Sequence, residues 1–329
     1  EVVAEIVARR IGSPLDSLLR LMDESGRVIE WNDDCEDKES GLLTHHADSY
    51  LRTRLPAEGT YFLRVADTQR AGGEAHHYRL RVGAPQPDFS LYVSPSSINL
   101  VPGRFTAIEV HAIRKDGFDG DIEVVLKDAP AGFELSGGMI PGGRDSVRMT
   151  LAAPPTALDA PVELQLEGRA QIGGQAVVRP AVPAEDMMQA FAYRHLVPSQ
   201  QLLVSVLGPK RGATIVQLAD TAPVRVPVGG EAKVVIRTPP SPLLSQVRLA
   251  LVEPPKGISI EGPHVVPEGF CFDVTSNGDG PGIGYRDNLI VQVTIEPPAD
   301  AEGAEPKGKR KNPTPFGVLP AIEYEVVSK

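Results

Sequence analysis

Apolar and polar residues alternate with a period of two over most of this chain, the pattern of half-buried β-strands whose successive side chains point to opposite faces. Over residues 1–84 the alternation predicts strands at 2–8, 18–23, 28–31, 49–55, 60–66 and 77–82. Between them lie Glu24-Ser25-Gly26, Pro56-Ala57-Glu58-Gly59 and Arg70-Ala71-Gly72-Gly73, which have the glycine and proline chemistry of tight turns. A small antiparallel sandwich is expected. Ala84-Pro85-Gln86-Pro87 then reads as a stiff linker, because each proline fixes φ and withholds a ladder donor. Further strands are predicted at 89–93, 98–100, 106–113, 121–126, 132–135, 146–151, 162–167, 177–178 and 202–207. A third series follows at 214–218, 224–226, 232–237, 247–251, 257–260, 271–274, 289–295 and 322–327. Residues 183–191 are the best short helix candidate in the chain.

The second and third series repeat one another. Leu126-Lys127-Asp128-Ala129-Pro130-Ala131-Gly132-Phe133-Glu134-Leu135-Ser136-Gly137 superposes on Leu251-Val252-Glu253-Pro254-Pro255-Lys256-Gly257-Ile258-Ser259-Ile260-Glu261-Gly262 at a shift of 125 residues. That period is the size of a domain. Val162, Leu164 and Leu166 fall on Leu289, Val291 and Val293, while Ile108 and Val110 fall on Val234 and Ile236, at nearly the same offset. The expected organisation is a first sandwich at 1–84 and two immunoglobulin-like sandwiches at 85–208 and 209–329. The class is all-β, in tandem antiparallel sandwiches.

Composition narrows the function. The chain has 329 residues, 33 Lys and Arg against 43 Asp and Glu, and a formal net charge of −10, so its bulk field repels nucleic acid and anionic membranes. No run approaches the roughly 18 apolar residues that a membrane span requires. Cys35 and Cys271 fall in different expected domains, which argues against a disulfide within one core. The first strand starts mid-pattern at Val2, with no turn or linker before it, so sequence upstream is expected. Lys307-Gly308-Lys309-Arg310-Lys311 sits in a polar excursion between Pro297 and Pro315 and reads as a solvated loop.

Chemistry concentrates on one loop. Asn32, Asp33, Asp34, Asp37 and Asp48 could together offer a calcium ion the oxygen ligands it prefers, although no strict ligand spacing is met and a solvated acidic loop explains the same residues. Calcium is the one cofactor expected. Trp31, the single tryptophan, is either a ligand-stacking surface or a cap on the core. The pairs His45-His46 and His76-His77 each point to opposite faces of a strand and so suit a shared metal poorly. The glycine-rich stretch 276–287 lacks the strand-loop-helix setting of a phosphate cradle. No nucleophile elbow, zinc-binding helix or phosphate loop is present in the sequence.

A resemblance enters with three segments: Asp16-Ser17-Leu18-Leu19-Arg20-Leu21-Met22-Asp23-Glu24-Ser25-Gly26, then Asn32-Asp33-Asp34, then Pro56-Ala57-Glu58-Gly59-Thr60-Tyr61-Phe62-Leu63-Arg64-Val65. Together they resemble the bacterial pre-peptidase C-terminal domain, and the tail, with Glu185-Asp186-Met187-Met188-Gln189-Ala190-Phe191-Ala192-Tyr193-Arg194-His195-Leu196-Val197-Pro198, is similar to the immunoglobulin-like regions that follow it in large secreted proteins of planctomycete-type bacteria. The resemblance implies a jelly-roll-like sandwich on an exported protein, often appended to peptidases and not itself catalytic. Calcium and collagen ligands of some relatives lie at an amino-terminal edge with no counterpart here, so neither property carries over. The expected function is therefore noncatalytic adhesion, spacing or surface assembly, outside the cell, on its surface or in the periplasm. The expected partner is a protein or cell surface, or a strand exchanged with a neighbouring subunit or the upstream segment. The competing reading is the accessory region of a secreted hydrolase or peptidase.

Overall fold

A computed structural model of the chain describes residues 1–36, 46–189, 191, 193–208, 216–296 and 314–329. Asp37, His45 and the basic run 307–311 lie outside the described residues. Strands dominate, as the period-two pattern requires, and the helical pieces among the described residues are two short 3₁₀ turns at Arg9–Ile11 and Pro242–Gln246. The described residues contain no helix long and apolar enough to cross a membrane. Cys271 is a buried thiol outside any disulfide.

The chain divides into two compact units. The first comprises Glu1–Ser90, Ile113–Asp119 and Ala184–Pro198. Its six opening strands are β1 (Val2–Val7), β2 (Ser17–Asp23), β3 (Val28–Asn32), β4 (Tyr50–Thr53), β5 (Tyr61–Asp67) and β6 (Arg79–Gly83). They form two three-stranded antiparallel sheets, in the orders β4-β1-β6 and β3-β2-β5. Alternation decides which side chains meet: Ala4 and Ile6 of β1, Leu19 and Leu21 of β2 and Leu51 of β4 are buried in one cluster with Leu15. Each leucine or isoleucine among them contributes about 1.5–3 kcal/mol by leaving water. Val2–Val7 is the central strand of its sheet, hydrogen-bonded on both sides.

The expected helix at 183–191 is not formed. Gln175–Gln189 is a single long strand, and its second half pairs antiparallel with Tyr193–Pro198. Helix-like spacing of Ala184, Met187, Met188 and Phe191 would need an apolar surface to cover it. Met187, Met188 and Phe191 are instead exposed, so the cross-strand ladder and the Asp186–Arg194 ion pair prevail over local helix propensity.

The second unit comprises Leu91–Ala112, Gly120–Pro183 and Ser199–Lys329, and it holds the duplicated sequence. Both repeats are wired alike. Phe105–Lys115 pairs with Ser146–Ala152, and that strand with Glu134–Ser136, just as Glu231–Arg237 pairs with Gly269–Ser276 and that strand with Ile258–Val266. Ile122–Lys127 pairs with Val162–Ile172 as Val247–Leu251 pairs with Val291–Ile295. Each repeat also has a parallel pair in the corresponding place, Ser97–Leu100 with Leu202–Val206 and Val224–Pro227 with Ile322–Val327, and the first repeat has a second, Asp88–Ser94 with Gln175–Gln189.

The shared motif has a conformational cause. Gly132 and Gly257 have φ of 91° and 80°, and the preceding Asp128 and Glu253 have φ of 47° and 44°. Left-handed backbone disfavours a Cβ, so the same turn demands glycine at the same place twice. The repeats are also tied to each other within this unit. Arg144 meets Asp287 at 2.6 Å, Arg286 grips Asp121 at 2.7 and 2.8 Å, and Asn288 Nδ2 donates to the carbonyls of Gly137 and Arg148, both at 2.8 Å.

Candidate functional site

The acidic loop leaves β3 and returns to β4. Its described residues are held by local bonds: Asn32 Nδ2 donates to the Asp34 carbonyl, Asn32 Oδ1 accepts from the Tyr50 N–H, and Asp33 Oδ1 accepts from the Asp34 N–H. Asp48 is placed differently. Its buried carboxylate accepts from the backbone N–H groups of Ala8 at 3.0 Å and Arg9 at 2.7 Å, and from Arg10 Nε at 2.9 Å. It thereby closes the 3₁₀ turn at Arg9–Ile11, satisfying donors that such a turn leaves open. Among the described residues no group of three or more His, Cys, Asp and Glu side chains is arranged to hold a metal. His76 and His77 do not converge with a further ligand, and His77 Nδ1 lies 3.0 Å from the Ala75 carbonyl.

A second carboxylate in the first unit was not singled out by the sequence. Asp116 heads a tight Asp116-Gly117 turn, with φ of 48° and 78° at the two residues. Its side chain is 4% exposed. Arg81 of β6 grips both its oxygens, at 2.7 and 2.9 Å, while Tyr50 Oη donates at 3.1 Å and the Gln86 N–H at 2.7 Å. Arg81 also reaches Glu5 at 2.9 Å. The Arg81 guanidinium holds the Asp116 carboxyl down to about 2, and burial, followed by the nearby Asp116 charge, pushes the Tyr50 phenol up to about 12. This cluster fastens the segment Ile113–Asp119 and the start of the proline linker to β1, β4 and β6. Asp-Gly after a long alternating strand is a turn signal in sequence, but nothing local announces which arginine it will meet.

The outward face of β3-β2-β5 is the third arrangement. Leu19 and Leu21 point inward, so Leu18, Arg20 and Met22 point outward. Register places Arg20 directly beside Trp31 on one side and Arg64 on the other, and Met22 beside Val28 and Phe62. Trp31, Phe62 and Val28 are 55%, 53% and 46% exposed. Trp31 therefore points outward and does not cap the core. Arg20 and Arg64 are exposed, and neither has an ion-pair partner among the described residues. Like charges set directly opposite on neighbouring strands repel and lower stability.

In the second unit a groove of about 680 Å³ runs between the repeats, lined by Gly137, Thr221, Lys233 and Glu323. Burial raises the Glu323 carboxyl above its ordinary range. Asp287, elsewhere in this unit, accepts from Tyr285 Oη at 2.8 Å as well as from Arg144, so its charge is already matched.

No family model matches the chain. It is 41% identical over 66 residues to a probable subtilase-type serine protease of Deinococcus radiodurans, a stretch that covers 20% of this chain and 8% of that protease. A solved structure of surface layer protein SbsC, domains 1–6, aligns with a TM-score of 0.26 and 11% identity, covering 92% of this chain and 32% of that one.

Proposed function

We propose that this chain is a noncatalytic β region of an exported protein that binds at a surface, with residues 1–84 as a pre-peptidase C-terminal-like sandwich and 85–208 and 209–329 as immunoglobulin-like repeats. The observation that carries this reading is the open face of Trp31, Phe62, Arg20 and Arg64, where two arginines are held side by side with apolar rings exposed around them. Elsewhere, charged groups serve the fold: Asp48 closes a turn, Asp116 fastens a linker, and Asp121 and Asp287 join the repeats. Catalysis would instead need a nucleophile or acid and base convergent on a cleft.

The partial match to a subtilase-type protease favours one setting for such a region, as an appendage to a secreted hydrolase. The purified chain should bind isolated bacterial envelope fragments in a sedimentation assay and should release nothing from peptide or ester substrates. Turnover that survives repurification and is lost on substituting one side chain would refute the noncatalytic reading. Failure to sediment with any envelope preparation would refute the binding role.

A further inference from the structure

The geometry points to a specific ligand class for the outward β3-β2-β5 face: an anionic polysaccharide of the polyuronate type, laid across Trp31, Arg20, Arg64 and Phe62. This deepens the binding role proposed above and rests on it. Trp31, Arg20 and Arg64 form one row across three strands, and Val28, Met22 and Phe62 form a parallel row two residues along. With strands about 4.8 Å apart and about 3.4 Å of rise per residue, the two aromatic positions stand diagonally about 12 Å apart, with Arg20 on the strand between them and Arg64 beside Phe62 on its own strand. A linear chain of sugar acids has the complementary repeat. Each residue offers an apolar ring face to stack on an indole or phenyl ring, and one carboxylate for a guanidinium fork.

Two features favour this occupant over an acidic polypeptide. The face is the broad surface of a sheet rather than an unpaired edge, so it offers a peptide no backbone ladder. The aromatic side chains also stand apart on the two outer strands instead of being gathered into one pocket for an anchor residue. The unmatched Arg20–Arg64 repulsion supplies the driving term, since a bound carboxylate would relieve it. Because the whole chain carries a charge of −10, attraction must be local, and affinity should fall as salt screens it.

The test titrates the intact chain with oligogalacturonate, following the emission of Trp31, the single tryptophan, and confirming by calorimetry. Saturable binding is expected, with at least a tenfold loss in the R20Q/R64Q double variant and in W31A; the double variant should melt at or above the wild-type midpoint, since it removes the like-charge pair, and W31A should stay folded by circular dichroism. Trp31→Phe should recover much of the affinity. Neutral dextran should not bind. If polyglutamate competes as well as the uronate, the site recognises acidic polypeptide and the proposal fails. If envelope binding persists while the uronate shows none, the ligand class is wrong and the broader binding role stands; loss of both would remove that role as well.

Discussion

Replacing Asp116 with Asn tests the most heavily bonded carboxylate in the first unit. Asn suits the positive φ of 48° at this turn, so the substitution removes charge while leaving the backbone conformation acceptable. Holding the carboxyl near 2 instead of its ordinary 3.8 corresponds to about 2–3 kcal/mol of stability at neutral pH. Breaking a buried ion pair commonly costs about 3–5 kcal/mol. The lower range applies here because the Arg81 side chain is 37% exposed and keeps Glu5 at 2.9 Å. The sign follows from the lowered pKa: the contribution is complete above the unfolded value near 4 and is lost as pH falls through about 2. Trp31 lies in the first unit, so urea unfolding followed by its fluorescence reads that unit. D116N should be less stable by about 2–3 kcal/mol at pH 6, with the gap shrinking below about 1 kcal/mol at pH 2. An equal deficit at both pH values would show that shape rather than charge is at stake, and no deficit at pH 6 would refute the argument outright.

Tyr50 should make the same unit sensitive to alkali. Its phenol is pushed up to about 12, so its contribution is intact below the unfolded value near 10 and disappears as pH rises from 10 to 12; Tyr50→Phe should flatten the Trp31-monitored stability profile over that interval. Asp48→Ala should cost about 2–3 kcal/mol by the same assay, since four donors lose a charged acceptor. Millimolar calcium should move the wild-type midpoint little, as Asp48 already has its donors; a large upward shift would assign the ion to the acidic loop after all. In the second unit, Gly132→Ala and Gly257→Ala should each cost at least about 1–2 kcal/mol in the circular-dichroism transition, because both sit at left-handed φ. Gly282→Ala, with an unhindered Cβ position and no left-handed φ, is the control expected to be nearly neutral.

Fold class was legible because burial on one face of a strand writes itself into sequence with period two. The six strands expected in residues 1–84 all form, within two residues of their expected ends. The duplication was legible for a related reason: Gly132 and Gly257 mark a backbone conformation that few other residues tolerate, so the turn leaves the same letter at both places. The 183–191 segment misled because its local propensity is helical while its partner, Tyr193–Pro198, is a strand that offers a ladder. Propensity is local and pairing is not.

The same distinction separates the parts of the candidate site that sequence could and could not supply. Alternation in Leu19-Arg20-Leu21 already puts Arg20 outside, and Phe62-Leu63-Arg64-Val65 does the same for Phe62 and Arg64. What it leaves open is register, and register is what makes a site. A shift of one residue between β2 and β5 would take Arg64 away from Arg20 and point it inward, and the outward face would lose its paired cations. Asp48 makes the complementary point. Its sequence neighbourhood invites a reading as a metal ligand, yet its oxygens are taken by Ala8, Arg9 and Arg10, some forty residues earlier in the chain. A carboxylate's role depends on which donors the fold brings to it. By that standard the unmatched arginines of the β3-β2-β5 face are where this chain has binding energy still to gain.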